Sequence, residues 1–279
     1  MAKGISINIG LGTASWDCCS KKTLKGSEND AREMARLASR DFTVRGPLLG
    51  GSATRESVER ELRKAAGELN AGDLLLLTFS GHGCRVFDDP PVNEPDSYDE
   101  TWCLHDGQFR DDHLHKLLAQ FAAGVRILVI SDSCHSGSIL LRAADQRHSR
   151  ATREQRAELG KRMSRHRNAM RNAGARCMSP KAIEDLRLPL SGSEVPIVAS
   201  VLLIAACREE QKARDGDPNG LFTTVLLALW AGGRFSGTYV ELIRQLHDGV
   251  SAIKGNQNPG WQCDGAFDPA FLHQQPFMI

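Results

Sequence analysis

An apolar run at residues 125–130 (VRILVI) leads directly into a polar segment at residues 132–137 (DSCHSG). Runs this short, rich in β-branched residues and bounded by small ones, are typical of a buried strand that ends in a tight turn. A second apolar run at residues 74–79 (LLLLTF) ends in the segment SGHG at residues 80–83. Because ligands of open α/β sheets bind at the carboxyl ends of the strands, the two segments predict a thiol and an imidazole at one edge of a sheet.

Strand and helix patterns alternate along the rest of the chain, apart from a loop expected between the second apolar run and Leu104. Further strands are expected at residues 5–9, 43–48 and 198–206, and helices at residues 28–40, 54–66, 111–121 and 222–231. Ser27 and Thr54 are the expected N-caps of the first two helices. This alternation predicts an α/β fold with a mostly parallel sheet flanked by helices on both faces. We expect residues 1–279 to form a single domain with a loop or helical excursion at about residues 142–193.

That excursion, called the basic segment below, has an unusual charge. Between Arg142 and Arg187 the chain has thirteen Lys or Arg residues against five Asp or Glu. The composition favours a solvated helical or mobile connection between two strands. The alternative is a basic arm for an acidic partner, but Arg-rich runs without interleaved aromatic residues usually indicate only a charged surface, so we do not expect nucleic-acid binding.

The overall composition excludes several classes of protein. Thirty-five basic against 34 acidic residues give a net charge of +1, which provides no global field for nucleic acid or a membrane. No apolar segment reaches 18 residues, so no membrane span is expected. The first residues lack the apolar centre of a signal peptide, and the eight cysteines contain no CxxC pair. We therefore expect a cytoplasmic protein with free thiols; the sequence predicts no oligomeric state.

Cys134 and His82 have the chemistry of a nucleophile and its base. A cysteine attacks a carbonyl as thiolate, and an imidazole can take the thiol proton and return it to the leaving amine. The amides of Gly83 and Cys134 are candidates for holding the oxyanion. His135 is an alternative base, although neighbouring side chains point apart. The structural alternative is that Cys134 fills the core and His82 is a turn residue.

At these residues the chain resembles the caspase-like cysteine peptidases, and within them the metacaspases and their bacterial relatives. Besides the two segments above, the resemblance extends to residues 26–31 (GSENDA), 96–101 (DSYDET) and 205–211 (AACREEQ), all in the family's order. It implies a caspase-like fold and peptide hydrolysis with Cys134 as nucleophile and His82 as base. The Gln-Ala-Cys box of true caspases is absent.

The resemblance also implies a pocket for a basic substrate side chain. Asp132 precedes Cys134 by two residues, so strand alternation places both on one side. Asp30 and Ser80 match further pocket positions of the family, whereas Ser27 stands where its pattern has Cys. Two carboxylates favour a guanidinium or ammonium group and repel Asp or Glu. The alternative for Asp30 is a helix-start carboxylate that interacts with the helix dipole.

The peptidase chemistry itself requires no cofactor, but many metacaspases use calcium, which makes that ion a candidate activator. By resemblance, Asp111 and Asp112 match the family's acidic pair, and Asp96 or Asp99 would supply another carboxylate. Leu141 stands where a further Asp is expected. Without the resemblance, Asp111 and Asp112 simply cap a helix.

These features together predict a cysteine endopeptidase that cleaves peptides or proteins after Arg or Lys and cuts itself within the basic segment. Two other functions fit the same sequence. One is a non-catalytic scaffold that keeps the fold for binding, and the other is a cysteine amidase or acyl-transfer enzyme.

Overall fold

The computed structural model describes residues 2–16, 22–87, 98–134, 195–207, 211–253 and 256–279; the basic segment lies outside these ranges. The strands are β1 (Gly4–Gly10), β2 (Thr43–Leu49), β3 (Leu74–Ser80), β4 (Gly83–Phe87), β5 (Tyr98–Leu104), β6 (Gly107–Arg110), β7 (Arg126–Asp132), β8 (Ser200–Ala205) and β9 (Gly260–Gly265). The α-helices are α1 (Ser27–Ala38), α2 (Arg55–Glu68), α3 (Asp111–Leu118), α4 (Leu221–Trp230) and α5 (Tyr239–Ile253). Within the same ranges, every helix is too short or too polar to cross a bilayer.

The main sheet has six strands in the order β2-β1-β3-β7-β8-β9. The first five are parallel, and β9 runs antiparallel to β8. In the ladder between β3 and β7, Ser80 lies opposite Asp132. The two polar segments therefore leave the sheet side by side, and the prediction of a mostly parallel α/β sheet is confirmed.

Helices cover both faces of this sheet, as expected for parallel strands that are apolar on both sides. Leu75 and Leu77 of β3 point into a core that includes residues of α2 and α3. Leu74 and Leu76 point into a second core with residues of α1, α4 and α5. Ser80, an even-numbered residue like Leu74 and Leu76, continues the row that faces α1 and α4.

A second, antiparallel sheet with the order β4-β5-β6 occupies the region where the sequence predicted a loop, so that prediction is wrong. β5 (YDETWCL) mixes charged and apolar residues, and only its pairing with β4 and β6 makes it a strand. Trp102 of β5 is fully buried and stacks on Phe79 at a centroid distance of 4.7 Å. The Cys103 N–H donates to the His82 carbonyl at 2.9 Å, so this small sheet holds the backbone of His82.

Helix starts agree with the sequence in one case and differ in another. Thr54 caps α2, since its hydroxyl accepts a hydrogen bond from the Ser57 N–H at 3.2 Å. Ser27, expected as the cap of α1, lies inside that helix, and Gly26 occupies the cap position without a side-chain bond. Helix α5 was not predicted.

Candidate active site

Cys134 follows β7 directly and is half-buried, on a turn supported by buried hydroxyl groups. The hydroxyls of Ser131 and Ser133 are 3.0 Å apart, and the Trp102 indole N–H donates to the Ser131 hydroxyl at 3.0 Å. All three residues are at most 1% exposed. Because each of these buried polar groups has a hydrogen-bond partner, they hold the turn that carries the thiol in place.

The loop that carries His82 lies against the Cys134 turn. A Cβ atom on Gly83 would lie 2.0 Å from the Cys134 carbonyl oxygen, so only a glycine permits this approach. His82 and Gly83 belong to one segment with Cys134 directly beside it. The structure thus brings together the three residues that the sequence assigned to the nucleophile, the base and the oxyanion donors.

A main-chain carbonyl group binds one nitrogen of the His82 imidazole. The His82 Nε2 atom is 2.6 Å from the carbonyl oxygen of Lys22. A carbonyl only accepts, so Nε2 is the donor, and in the neutral ring Nδ1 is then the basic nitrogen. No sequence pattern could have identified Lys22, because its contribution is a carbonyl that any residue type possesses.

Burial favours the protonated form of the Cys134 thiol. Burial raises its pKa above the usual range. A hydrogen bond from the Ala213 backbone N–H and the positive charge of Lys212 act in the opposite direction, whereas the charge of Asp132 raises the pKa further. Because the net effect is upward, formation of the thiolate requires a base.

Asp30, Ser80 and Asp132 also converge, at the start of helix α4. The Ser80 hydroxyl donates to Asp30 Oδ2 at 2.7 Å. Asp30 Oδ1 accepts from the Asn219 side-chain amide at 2.7 Å and from the Gly220 N–H at 3.1 Å. The Asp30 carboxylate, which α1 carries, is therefore held by β3 and by the residues that precede α4.

Asp132 is bound by helix α4 itself. The Thr223 hydroxyl and backbone N–H donate to Asp132 Oδ2 at 2.8 and 3.2 Å. Burial is the largest cause that raises the pKa of Asp132 to about 7, followed by the nearby charge of Asp30; Asp215 adds to it, and the Thr223 bonds oppose it. Burial and Asp215 likewise raise the pKa of Asp30, against its hydrogen bonds to Asn219, Ser80 and Gly220.

Sequence reasoning missed the groups that hold this acidic pair. It predicted a helix at residues 222–231, but nothing in the sequence connects Thr223 with a carboxylate 91 residues earlier. Asn219, Gly220 and Asp215 were not singled out either. The only local signal was a polar, glycine-containing stretch before an apolar helix, which is also typical of an ordinary helix start.

Other cysteines lie near the site. Cys84, beside Gly83, is disulfide-bonded, so the expectation of free thiols is wrong for this residue. The Cys103 thiol donates to the Cys84 sulfur at 3.2 Å. Cys207 is fully buried, and its thiol donates to the Ser133 carbonyl at 3.3 Å.

The residues proposed for calcium are only partly described. Asp96 lies outside the described residues, and for Asp99 only the backbone, in β5, is described. Asp111 is buried and begins α3, and its Oδ1 accepts from the Asp112 N–H at 2.7 Å, as a helix-start carboxylate would. The part of the chain that the structure describes contains no group of three His, Cys, Asp or Glu residues able to hold a metal.

Comparison with known families gives a match over most of the chain. The model of the family described as the caspase domain matches residues 12–271. Metacaspase III c of Phaeodactylum tricornutum is 39% identical over 130 residues, covering 42% of this chain and 39% of that protein. Metacaspase-7 of Arabidopsis thaliana is 30% identical over 135 residues, covering 44% and 33%. The alignments thus span well under half the length of these relatives.

Two solved structures resemble the whole chain. Protein GSU0716 from Geobacter sulfurreducens superposes with a TM-score of 0.69 and 33% identity over 99% of both chains. Caspase-1 from Spodoptera frugiperda superposes with a TM-score of 0.52 and 12% identity, covering 95% of this chain and 89% of the other. At 12% identity, the second likeness concerns the fold alone.

Proposed function

The chain belongs to the caspase domain family, and we propose that it is a cysteine endopeptidase that cleaves peptide bonds after Arg or Lys. One observation carries this proposal. Two buried carboxylates, Asp30 and Asp132, converge at the start of α4, and the second lies two residues before the half-buried thiol of Cys134. The Cys134 thiol and the imidazole of His82, which the neighbouring loop carries, supply the chemistry, and the acidic pair supplies the substrate preference.

In the first half of the reaction, His82 Nδ1 takes the proton from Cys134 Sγ, and the sulfur attacks the carbonyl carbon of the scissile bond. The Lys22 carbonyl, bound to Nε2, keeps the ring oriented and stabilises the imidazolium that forms. The N–H groups of Gly83 and Cys134 receive the developing oxyanion. Removing one such donor typically costs about 3–4 kcal/mol of barrier.

In the second half, the same Nδ1 returns the proton to the leaving amine, which departs and leaves an acyl group on Cys134. A water molecule then gives a proton to His82 and attacks the acyl carbon. The thiol is restored with the proton from the imidazolium. The amine product thus carries away the proton of Cys134, a proton from water replaces it on the thiol, and the remaining hydroxyl group of water ends in the carboxylic acid product; these steps use no cofactor.

Substrate preference follows from the charge in the pocket. A guanidinium or ammonium group that enters between Asp30 and Asp132 relieves the repulsion between two buried carboxylates. An acidic side chain would add to that repulsion, and a neutral one would leave it unrelieved. Arg is favoured over Lys wherever both nitrogens of its planar fork find an oxygen.

Hydrolysis of reporter peptides that end in Arg, Lys, Gln or Asp tests the proposal. We expect the wild type to cleave after Arg and Lys with kcat/KM at least 100-fold above Gln, and Cys134→Ala to be inactive. Cys263→Ala, which removes a half-buried thiol from β9, is the matched control and should retain activity.

Each other outcome contradicts part of the proposal. Hydrolysis by Cys134→Ala would exclude the proposed nucleophile. Absence of all hydrolysis by the wild type would favour a scaffold, and hydrolysis of neutral esters alone would favour an amidase or acyl-transfer enzyme. Equal rates on Arg and Gln would exclude the basic preference.

Calcium activation is a second, separate part of the proposal. It is supported by the family's acidic pair at Asp111 and Asp112, while the one described bond of Asp111 Oδ1 is explained by helix capping alone. We expect addition of a chelator to lower the peptidase rate and excess calcium to restore it. A rate that stays constant through both additions would exclude calcium as activator.

A further inference from the structure

The two carboxylates of the pocket are bound in different ways. Both oxygens of Asp30 accept hydrogen bonds, from Ser80, Asn219 and Gly220. Both bonds to Asp132 instead reach a single oxygen, Oδ2. Among the described residues, no hydrogen bond reaches Asp132 Oδ1. The residue is 7% exposed, against 2% for Asp30.

We propose that Thr223 is a positioning residue of the pocket, which holds Oδ2 of Asp132 so that Oδ1 faces the basic side chain of the substrate. This inference rests on the proposed function, because it assumes that the acidic pair receives Arg or Lys. In this arrangement Asp132 makes the direct contact with the ligand. Asp30 contributes charge, since its own oxygens are already engaged.

The start of helix α4 explains why Thr223 is suited to this role. Its first N–H groups have no partner within the helix, and Gly220, at the cap position, has no side chain to satisfy them. Side chains from α1 and β7 act as caps instead: Asp30 binds the Gly220 N–H, and Asp132 binds the Thr223 N–H. The helix is thereby joined to the substrate pocket.

Gly220 also makes room for this arrangement. A Cβ atom there would lie 2.8 Å from Asp132 Oδ2 and 3.1 Å from Asp30 Oδ2. Both oxygens therefore lie close to one point above the helix start, and a larger residue would push one carboxylate away. The acidic pair, the glycine and Thr223 form one geometrical unit.

A second bond to Oδ2 is needed because the carboxylate of an Asp turns easily about its terminal torsion. Two donors on one oxygen fix the plane of the group, and the β-branched side chain of Thr223 has few rotamers in a helix. Without the hydroxyl, Asp132 keeps only the N–H bond at 3.2 Å. Its free oxygen would then point in no single direction.

The groups around Asp132 affect its ionisation as well as its orientation. Asp30 from α1 and Asp215 from the loop before α4 face Asp132, and both oppose its ionisation, whereas the bonds from Thr223 favour it. Removing the hydroxyl therefore shifts ionisation of Asp132 to higher pH. The pocket of such a variant is less negative near neutral pH than that of the wild type.

The test compares Thr223→Val, which has nearly the same shape without the hydroxyl, with Thr223→Ser, which restores it. On an Arg reporter peptide at pH 7 we expect the Val variant to lose roughly 10- to 100-fold in kcat/KM, the range for a hydrogen bond to a charged group. The decrease in kcat/KM should result mainly from a higher KM, and it should become smaller as the pH approaches 9. The Ser variant should stay within about threefold of the wild type.

The outcomes separate this inference from the proposed function. A wild type without preference for Arg over Gln contradicts the proposed function. A wild type that prefers Arg, with a Val variant unchanged in KM and pH profile, contradicts only the role of Thr223. Equal losses on Arg and Gln peptides would show a purely structural role. If the Val variant does not fold, Thr223→Ala removes the same hydroxyl in a residue that favours helix, and is read in the same way.

Discussion

At the scale of the residue, Asp132 shows that the site is maintained at a cost to stability. Burial and the neighbouring Asp30 raise its pKa to about 7, whereas an unfolded chain ionises the same group near the ordinary value of an Asp. The unfolded state therefore loses its proton first as pH rises. The contribution of Asp132 to the free energy of unfolding therefore falls between these two pKa values and levels off above the higher one.

Replacement of Asp132 by Asn removes this cost together with the charge. We compare the free energy of unfolding of Asp132→Asn with that of the wild type. We expect this difference to shift in favour of the variant by on the order of 2 kcal/mol between pH 5 and pH 8. Cleavage after Arg should be lost at both values. Urea denaturation at the two pH values measures the first effect, and reporter hydrolysis measures the second.

Asp73 provides a control of opposite sign. Although burial alone would raise its pKa, hydrogen bonds from the N–H groups of Asn70 and Lys3 lower it below the ordinary value. Asp73→Asn should therefore lose stability relative to the wild type at pH 8. An Asp132→Asn variant that loses stability in the same way would contradict the assignment of a raised pKa.

How far the sequence predicts the site also depends on the kind of group involved. Asp132 could be placed on the side of Cys134 by alternation along the strand, and Ser80 was assigned to the same pocket by the family resemblance; the register Ser80↔Asp132 agrees with this pairing. Lys22 could not be found, since it acts through its backbone. Thr223 could not be found because its role depends on packing between elements far apart in the chain.

At the scale of the element, the parallel strands were predictable and the antiparallel ones were not. Strands buried on both faces must be apolar throughout, so β3 and β7 stand out as runs. β5 contains Glu100 and Trp102 within three residues, and it is a strand because of its partners. The same pairing places Gly83 opposite Trp102 and so positions the loop that contains His82.

Gly83, the first residue of β4, is the point where this strand contacts the Cys134 segment, and its replacement tests that contact. We expect Gly83→Ala to lower kcat/KM at least 100-fold, because the added Cβ atom would lie 2.0 Å from the Cys134 carbonyl oxygen and must displace one of the two segments. Reporter hydrolysis and a thermal denaturation curve measure the effect.

Gly67 is the matched control for the same change. It lies exposed in α2, and an added Cβ atom would meet no other atom within 4 Å. Gly67→Ala should leave activity unchanged and raise the free energy of unfolding by about 0.5–1 kcal/mol, because Ala favours helix over Gly. Full activity of Gly83→Ala would contradict the close approach of the two segments.

At the scale of the whole molecule, the charges are divided unevenly. The chain has a net charge of +1, while residues 142–187 contain thirteen basic and five acidic residues. The remainder of the chain therefore has a negative surplus of seven charges. Opposite charges of the two parts attract each other, and the residues that make up the positive surplus are Arg and Lys, which the proposed pocket would accept.

We expect this attraction to lead to self-cleavage. Incubated wild type should yield fragments that end in Arg or Lys within residues 142–187, and Cys134→Ala should remain intact. Mass spectrometry of the new termini identifies the sites. Adding wild type to tagged Cys134→Ala distinguishes cleavage between molecules, which depends on concentration and slows at high salt, from cleavage within one molecule. The same fragments from Cys134→Ala alone, or termini after neutral residues, would contradict both the self-cleavage and the basic preference from which it follows.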